Sequence, residues 1–201
     1  VVAWVNNEEI TTSELKHWML LEKANVYNYF YREYGVSDSD NFWTQKQGDE
    51  FPLEKLKETA LEKATRCKVQ QLIALEKGII ETANFDKILN KLENVNAERK
   101  MKVKNGEPVY GPVQFTSRTY FSNVFDKMVI ELKSELSKNE LKPGKEELLQ
   151  RQDDKEQHLK DNTGFLNLQY VDDNYDIYID QLTSKTEIKI NRDVYEKINL
   201  D

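Results

Sequence analysis

The chain opens on a short β-type run, Val1-Val2-Ala3-Trp4-Val5, followed by an Asn6-Asn7 turn signal and then Glu8-Glu9-Ile10. Thr11-x-x-Glu14 is a capping box and sets the start of a long helix to about Tyr34, with Gly35 as its C-cap. That helix carries two apolar stripes. Leu15, Trp18, Met19, Val26, Tyr29 and Phe30 share one side; Leu20, Ala24, Tyr27, Tyr31 and Tyr34 share another. One stripe is enough to pack on a neighbour, so the second belongs either to a central helix or to a face free for a ligand. Residues 36–51 are polar, with Phe42 and Trp43 among them, and read as a loop. Pro52 starts a second helix whose stripe runs through Leu53, Leu56, Ala60, Ala64, Cys67 and Gln71 and which ends at Gly78.

A third helix is expected from an Asn84 or Thr82 cap through Ile88, Leu92, Val95 and Val103 to Asn105-Gly106. An ordered loop, Pro108 to Phe115, leads to a fourth helix capped by Thr116, with Phe121, Val124, Phe125, Met128, Leu132 and Leu136 in one stripe. Pro143-Gly144 breaks it, and a very polar helix to about Leu159 follows. Asn162 to Asp173 reads as a loop, and a short helix carries Tyr175, Tyr178, Ile179 and Leu182. Thr186 to Ile190 alternates as a strand, and a last turn holds Val194, Tyr195 and Ile198. The pattern predicts a mainly α fold with two strands, one at each end. They have only each other to pair with, so Ala3 to Val5 and Glu187 to Ile190 should join the termini in a small sheet.

Composition agrees with long helices: 7 Gly and 4 Pro in 201 residues leave few breakers. Charged residues make up 32%, yet 21 aromatics argue for a folded chain. The net charge of −7 lacks the electrostatic footprint of a nucleic-acid binder. No apolar run is long enough to span a membrane. The chain begins with Val and is structured at once, so it reads as a processed or trimmed piece whose signal or anchor would lie upstream.

Candidate chemistry is sparse. His17 and His158 match no ligand motif, and His17 reads as a solvated residue at the polar edge of the first helix. Asp172-x-Asn174-x-Asp176 opens like a calcium loop, but Ile177 stands where Gly is needed and Thr183 where a Glu belongs. Asp172 or Asp173 is better read as a helix cap. Cys67, on an apolar stripe, reads as an inert core thiol. The basic run Arg99-Lys100-x-Lys102-x-Lys104 meets a helix C-terminus favourably. No catalytic, metal or cofactor site is assigned. The unusual supply is aromatic: Tyr27, Tyr31, Tyr34, Phe42, Trp43, Tyr110, Phe115 and Tyr120 are the candidate polypeptide-binding residues. The competing reading places them as fillers of a core short of Ile and Val.

Several segments resemble the SurA/PrsA family of extracytoplasmic chaperones. Val2-Ala3-Trp4-Val5-Asn6-Asn7 with Ile10-Thr11 resembles its opening strand, turn and helix, with Asn7 in place of the usual Gly. Leu53 to Ala74 with Gly78-Ile79 is similar to its second helix. Asn105-Gly106-Glu107-Pro108-Val109-Tyr110-Gly111-Pro112 with Tyr120-Phe121 and Leu132-Lys133-x-x-Leu136 looks like Gram-positive members. Ile188-Lys189-Ile190-Asn191 with Tyr195 and Ile198 resembles the closing strand and turn.

The resemblance implies one helical chaperone domain over 1–201. Family members commonly carry a parvulin-type prolyl isomerase module of about 90 residues, an ordinary domain size. Between about 160 and 174 only a short loop stands here, so isomerase activity is not carried over. The resemblance further implies an ATP-independent holding chaperone or foldase outside the cytoplasm, lipid-anchored or secreted. Its partners would be unfolded or partly folded secreted proteins, held in an apolar aromatic groove. The alternatives are an anchored adaptor that binds one protein and a prolyl isomerase with an unrecognised site.

Overall fold

The computed structural model describes residues 1–37, 39, 41–142 and 163–200, with 163–168 described by backbone alone. In chain order the elements are β1 (Ala3–Val5), β2 (Glu8–Ile10), α1 (Thr12–Tyr34), α2 (Pro52–Glu76), α3 (Phe85–Leu89), α4 (Leu92–Lys104), α5 (Ser117–Leu136), α6 (Thr163–Ser184), β3 (Ile188–Ile190) and α7 (Arg192–Tyr195). The fold is mainly α with one small sheet, as the pattern predicts.

The sheet has three strands rather than two, in the order β2-β1-β3. β1 pairs antiparallel with β3, Ala3 opposite Ile190 and Val5 opposite Ile188, so the two ends of the described chain are joined as expected. The strand missing from the sequence reading is β2, which folds back on β1 through Asn6-Asn7. The left-handed residue of that turn is Asn6, at φ 49°. Asparagine tolerates this region better than most side chains.

The long helices start and stop where their caps dictate. Thr11 Oγ accepts the Glu14 N–H at 3.2 Å. Gly35 takes the left-handed conformation, φ 64°, and returns its N–H to Tyr31 C=O. Pro52 opens α2, where its missing N–H costs nothing. α2 has 25 residues, about 37 Å at 1.5 Å per residue, and it is the spine of the molecule. Its N-terminal half packs on the sheet and on the buried stripe of α1, around Leu15, Met19, Val26, Phe30, Leu56 and Ala60. Its C-terminal end meets α5 and α6 around Leu132, Leu136, Val171, Tyr175 and Ile179. A third cluster sits between them, where Cys67 meets Phe85, Ile88, Phe115 and Phe121.

Three expectations are corrected. The continuous helix from Asn84 to Asn105 is broken at Asn90-Lys91, where Lys91 N–H bonds to Ile88 C=O and the helical ladder is interrupted. α3 buries Phe85 and Ile88, whereas α4 buries nothing fully, so the bend lets the polar helix turn along the surface. The loop expected over Asn162 to Asp173 is helical from Thr163. Its Asp and Asn residues resemble loop chemistry but fall at helical spacing: Asp172 meets Lys133 at 2.8 Å, and Asp176 and Asp180 both meet Arg66. Asp172 and Asp173 therefore lie inside α6 and cap nothing. The polar helix expected to about Leu159, and His158 with it, lies outside the described residues.

Candidate functional site

The aromatic candidates separate by burial. Phe42, Phe115 and Tyr120 are core: Phe42 is 1% exposed and stands edge-on to Phe30, and Phe115 packs against Tyr120. Tyr27 and Trp43 are half-buried against Phe42. Tyr31, Tyr34 and Tyr110 are exposed, Tyr110 most of all at 87%. The structure thus gives α1 one buried and one outward stripe, and it disperses the eight residues rather than gathering them in one groove. Phe42 and Phe115 are enclosed because each closes a loop onto the core. Phe42 sits beneath Tyr27, and Phe115 is fixed by Asn96, which accepts its N–H at 2.8 Å and donates to its C=O at 2.9 Å. Tyr110 projects from the same loop. Arg99 holds that loop by donating to Pro112 C=O and Tyr110 C=O while stacking over the Phe115 ring at 4.7 Å. The helix-end role expected for the basic run therefore belongs at most to its lysines.

A cleft of about 660 Å³ opens between the N-terminal half of α2 and the β3–α7 segment. Its apolar lining is Phe51, Leu61, Ile188, Ile190 and Tyr195. Ile188 and Ile190 lie on the same sheet face as their cross-strand neighbours Ala3 and Val5, which are fully buried. The apolar face of the sheet therefore runs out past the core, and both isoleucines are exposed where it enters the cleft. Asp49, Glu50, Glu54, Glu58 and Glu62 also line the cleft, with Lys55 the cation among its lining residues. Glu54, Glu58 and Glu62 recur every fourth residue and so form one row along α2, and Glu50 stands just before its first turn. Lys55 sits 3.5 Å from Glu50 and 4.0 Å from Glu58; Lys57 takes Glu54 and Lys46 takes Asp49. Burial and then Glu54, Glu58 and Glu62 push the Tyr195 hydroxyl up to about 12. At one end Thr65, buried on α2, has a hydroxyl with no hydrogen-bond partner among the described residues.

Glu50 links this cleft to the tyrosines of α1. It accepts from Tyr29 Oη at 2.6 Å and Tyr34 Oη at 3.1 Å, and these bonds hold its carboxyl below the ordinary range. Tyr34 reaches it because residue 48 is glycine: at φ 59°, a Cβ there would sit 2.2 Å from the Tyr34 ring. Of the eight aromatic candidates, Tyr34 is the one brought to the cleft rim. A second cavity, about 370 Å³, opens between α2, α3 and α5 beside Tyr120, Phe121, Phe125 and Met128.

Behind α1 lies a buried polar centre. Glu14 and Lys68 are both fully buried and 3.0 Å apart, and Lys68 Nζ also donates to Ala83 C=O at 2.6 Å. Burial drives the Glu14 carboxyl up to about 7, although Lys68 and the Thr11 backbone pull the other way. His17, expected in solvent, is instead buried among Trp18, Phe85 and Phe121, with ring centroids 5.1–5.6 Å away. The reason is α3, which folds over that side of α1. Burial, with Arg118 adding to it, lowers the imidazole pKa. Cys67 is a buried free thiol, and burial raises its pKa well above the usual value. These groups are sealed in the core and hold helices together.

No protein-family model matches the chain, and neither a curated protein nor a solved structure matches it significantly. The likeness to SurA/PrsA proteins accordingly rests on the quoted segments. No helix among the described residues is long and apolar enough to cross a membrane.

The cleft residues were missed because its two walls, residues 49–65 and 183–195, lie 118 or more positions apart in the chain. The glutamate row is visible in the sequence, but it reads as a solvated helix face until β3 is placed opposite.

Proposed function

We propose that the chain is an ATP-independent, chaperone- or foldase-like protein that holds unfolded or partly folded polypeptides outside the cytoplasm. The observation that carries this reading is the open cleft along α2, where an apolar sheet face emerges from the core uncovered. Exposed apolar surface in a folded domain marks a site of interaction. An extended segment of chain fits a long, open, polar-rimmed trough better than a compact small molecule does. The outward stripe of α1, with Tyr31 and Tyr34, adds amphipathic contact area beside it. The extracytoplasmic setting is drawn from the segments similar to SurA/PrsA proteins.

The test is suppression of aggregation for several unrelated unfolded clients without nucleotide. Suppression across clients supports the proposal. Suppression of none, with tight capture of a single folded partner, supports the adaptor reading instead. Replacing Tyr27, Tyr31 and Tyr34 together by Ser, with the fold checked by circular dichroism, measures the share of the α1 face.

A further inference from the structure

The hydrogen bonds of β3 fix which way its backbone points. Asn6 N–H donates to Glu187 C=O at 2.9 Å, and Asn191 N–H donates to Val2 C=O at 2.8 Å. In an antiparallel pair, alternate residues turn their polar backbone groups toward the partner and away from it. Glu187, Lys189 and Asn191 therefore face β1, while Ile188 and Ile190 present their N–H and C=O groups outward. β3 is an edge strand, and none of these four groups bonds to another described residue. The opposite edge, β2, is blunted by Glu8 and Glu9.

A strand added to β3 would continue the sheet over the cleft. Its inward side chains would lie between Ile188 and Ile190 on one side and the α2 glutamates on the other. Lys and Arg suit that position, because their stems cover apolar surface while their heads reach a carboxylate. Glu58 and Glu62 are exposed; Glu58 is 4.0 Å from Lys55, and Glu62 has no ion-pair partner among the described residues. Glutamate side chains in that position would meet the same carboxylates with like charge.

Building on the polypeptide-holding reading, we infer that the cleft binds an extended segment rich in Lys or Arg among apolar residues, added as a fourth strand to the free edge of β3. The free edge supplies register-independent backbone bonds, and the acidic row supplies the selection by charge. The protein would thus choose basic amphipathic stretches from its clients over acidic ones.

The probe is a blocked eight-residue peptide alternating Val and Lys, compared with its Val and Glu counterpart by fluorescence polarisation. The lysine peptide should bind at least tenfold tighter, and its affinity should fall with added salt. The double variant Glu58→Lys, Glu62→Lys should weaken it about tenfold, from exposed charge pairs turned repulsive. Ile190→Pro removes an outward N–H and leaves the β1 bonds in place, so it should abolish binding. A lysine peptide N-methylated at alternate residues asks the same question of the unaltered protein, and it should not bind. Equal affinity for the two peptides, or full binding by the N-methylated one, would overturn the inference. So would a sedimenting dimer that Ile190→Pro dissolves, since a second copy would then own the edge. If clients are held but neither peptide binds, the inference fails while the holding function stands; if no client is held, the function itself fails.

Discussion

Replacing Lys68 by Met removes one partner of a fully buried ion pair and leaves Glu14 and the Ala83 carbonyl facing an apolar side chain. Breaking such a pair costs about 3–5 kcal/mol, because the remaining charge stays buried without compensation. The cost depends on pH, since Glu14 can escape it by taking up a proton. Its carboxyl titrates near 4.5 in the unfolded chain and near 7 when folded beside Lys68, and loss of the Lys68 charge moves the folded value further up. The unfolded state therefore releases a proton that the folded state keeps, and stability falls as pH rises across that window. At pH 5 Glu14 is already neutral, and the loss reduces to the orphaned carbonyl, about 1–3 kcal/mol. At pH 8 the full penalty applies, a drop in Tm of roughly 10 °C for a chain of this size. Thermal unfolding followed by circular dichroism at both pH values gives the comparison. The double variant Glu14→Met, Lys68→Met should return to within about 2 kcal/mol of the parent, because apolar replacement of both partners is often neutral. Equal losses at pH 5 and pH 8, or a double variant worse than either single one, would refute this reasoning.

Three further outcomes follow from the same geometry. His17 titrates in the opposite sense: its folded pKa lies below 6.5, so stability falls as pH drops through that value, and His17→Leu should lift unfolding temperature at pH 5 more than at pH 8. Arg99→Met should free the 108–115 loop, raising amide exchange at Tyr110 to Phe115 and costing about 1–2 kcal/mol or less, as its bonds are exposed. Prolyl-peptide isomerisation should stay at the spontaneous rate, about 10–100 s, because residues 137–162 between α5 and α6 are too few for an isomerase module; acceleration lost on a single substitution would contradict that.

Much of the fold is legible from local chemistry. Thr11 and Gly35 bound α1, Pro52 and Gly78 bound α2, and Thr116 opens α5 with the capping box seen in the structure. Where the reading departs, the determinant is long-range. α6 continues through Asp172, Asp173 and Asn174 because Val171, Tyr175 and Ile179 bury against α5 and α2, and because Lys133 and Arg66 take its acidic residues. β2 is three residues of mixed polarity, too short to show a period, and exists because β1 lies beside it. His17 looks polar on α1 alone and is buried by a helix that begins 68 positions later. The second stripe of α1 is readable and does face outward. The cleft is not, since Ile188 and Glu62 become neighbours only when β3 pairs with the first strand of the chain.

The most direct measurement of polypeptide holding is hydrogen exchange on the protein alone and with a permanently unfolded client bound. Added protection is expected at the outward amides of Ile188 and Ile190, together with slower exchange in the first turns of α2 around Phe51 to Lys55. Client binding that protects another surface, such as the α3–α5 cavity, and leaves these amides unchanged would contradict it.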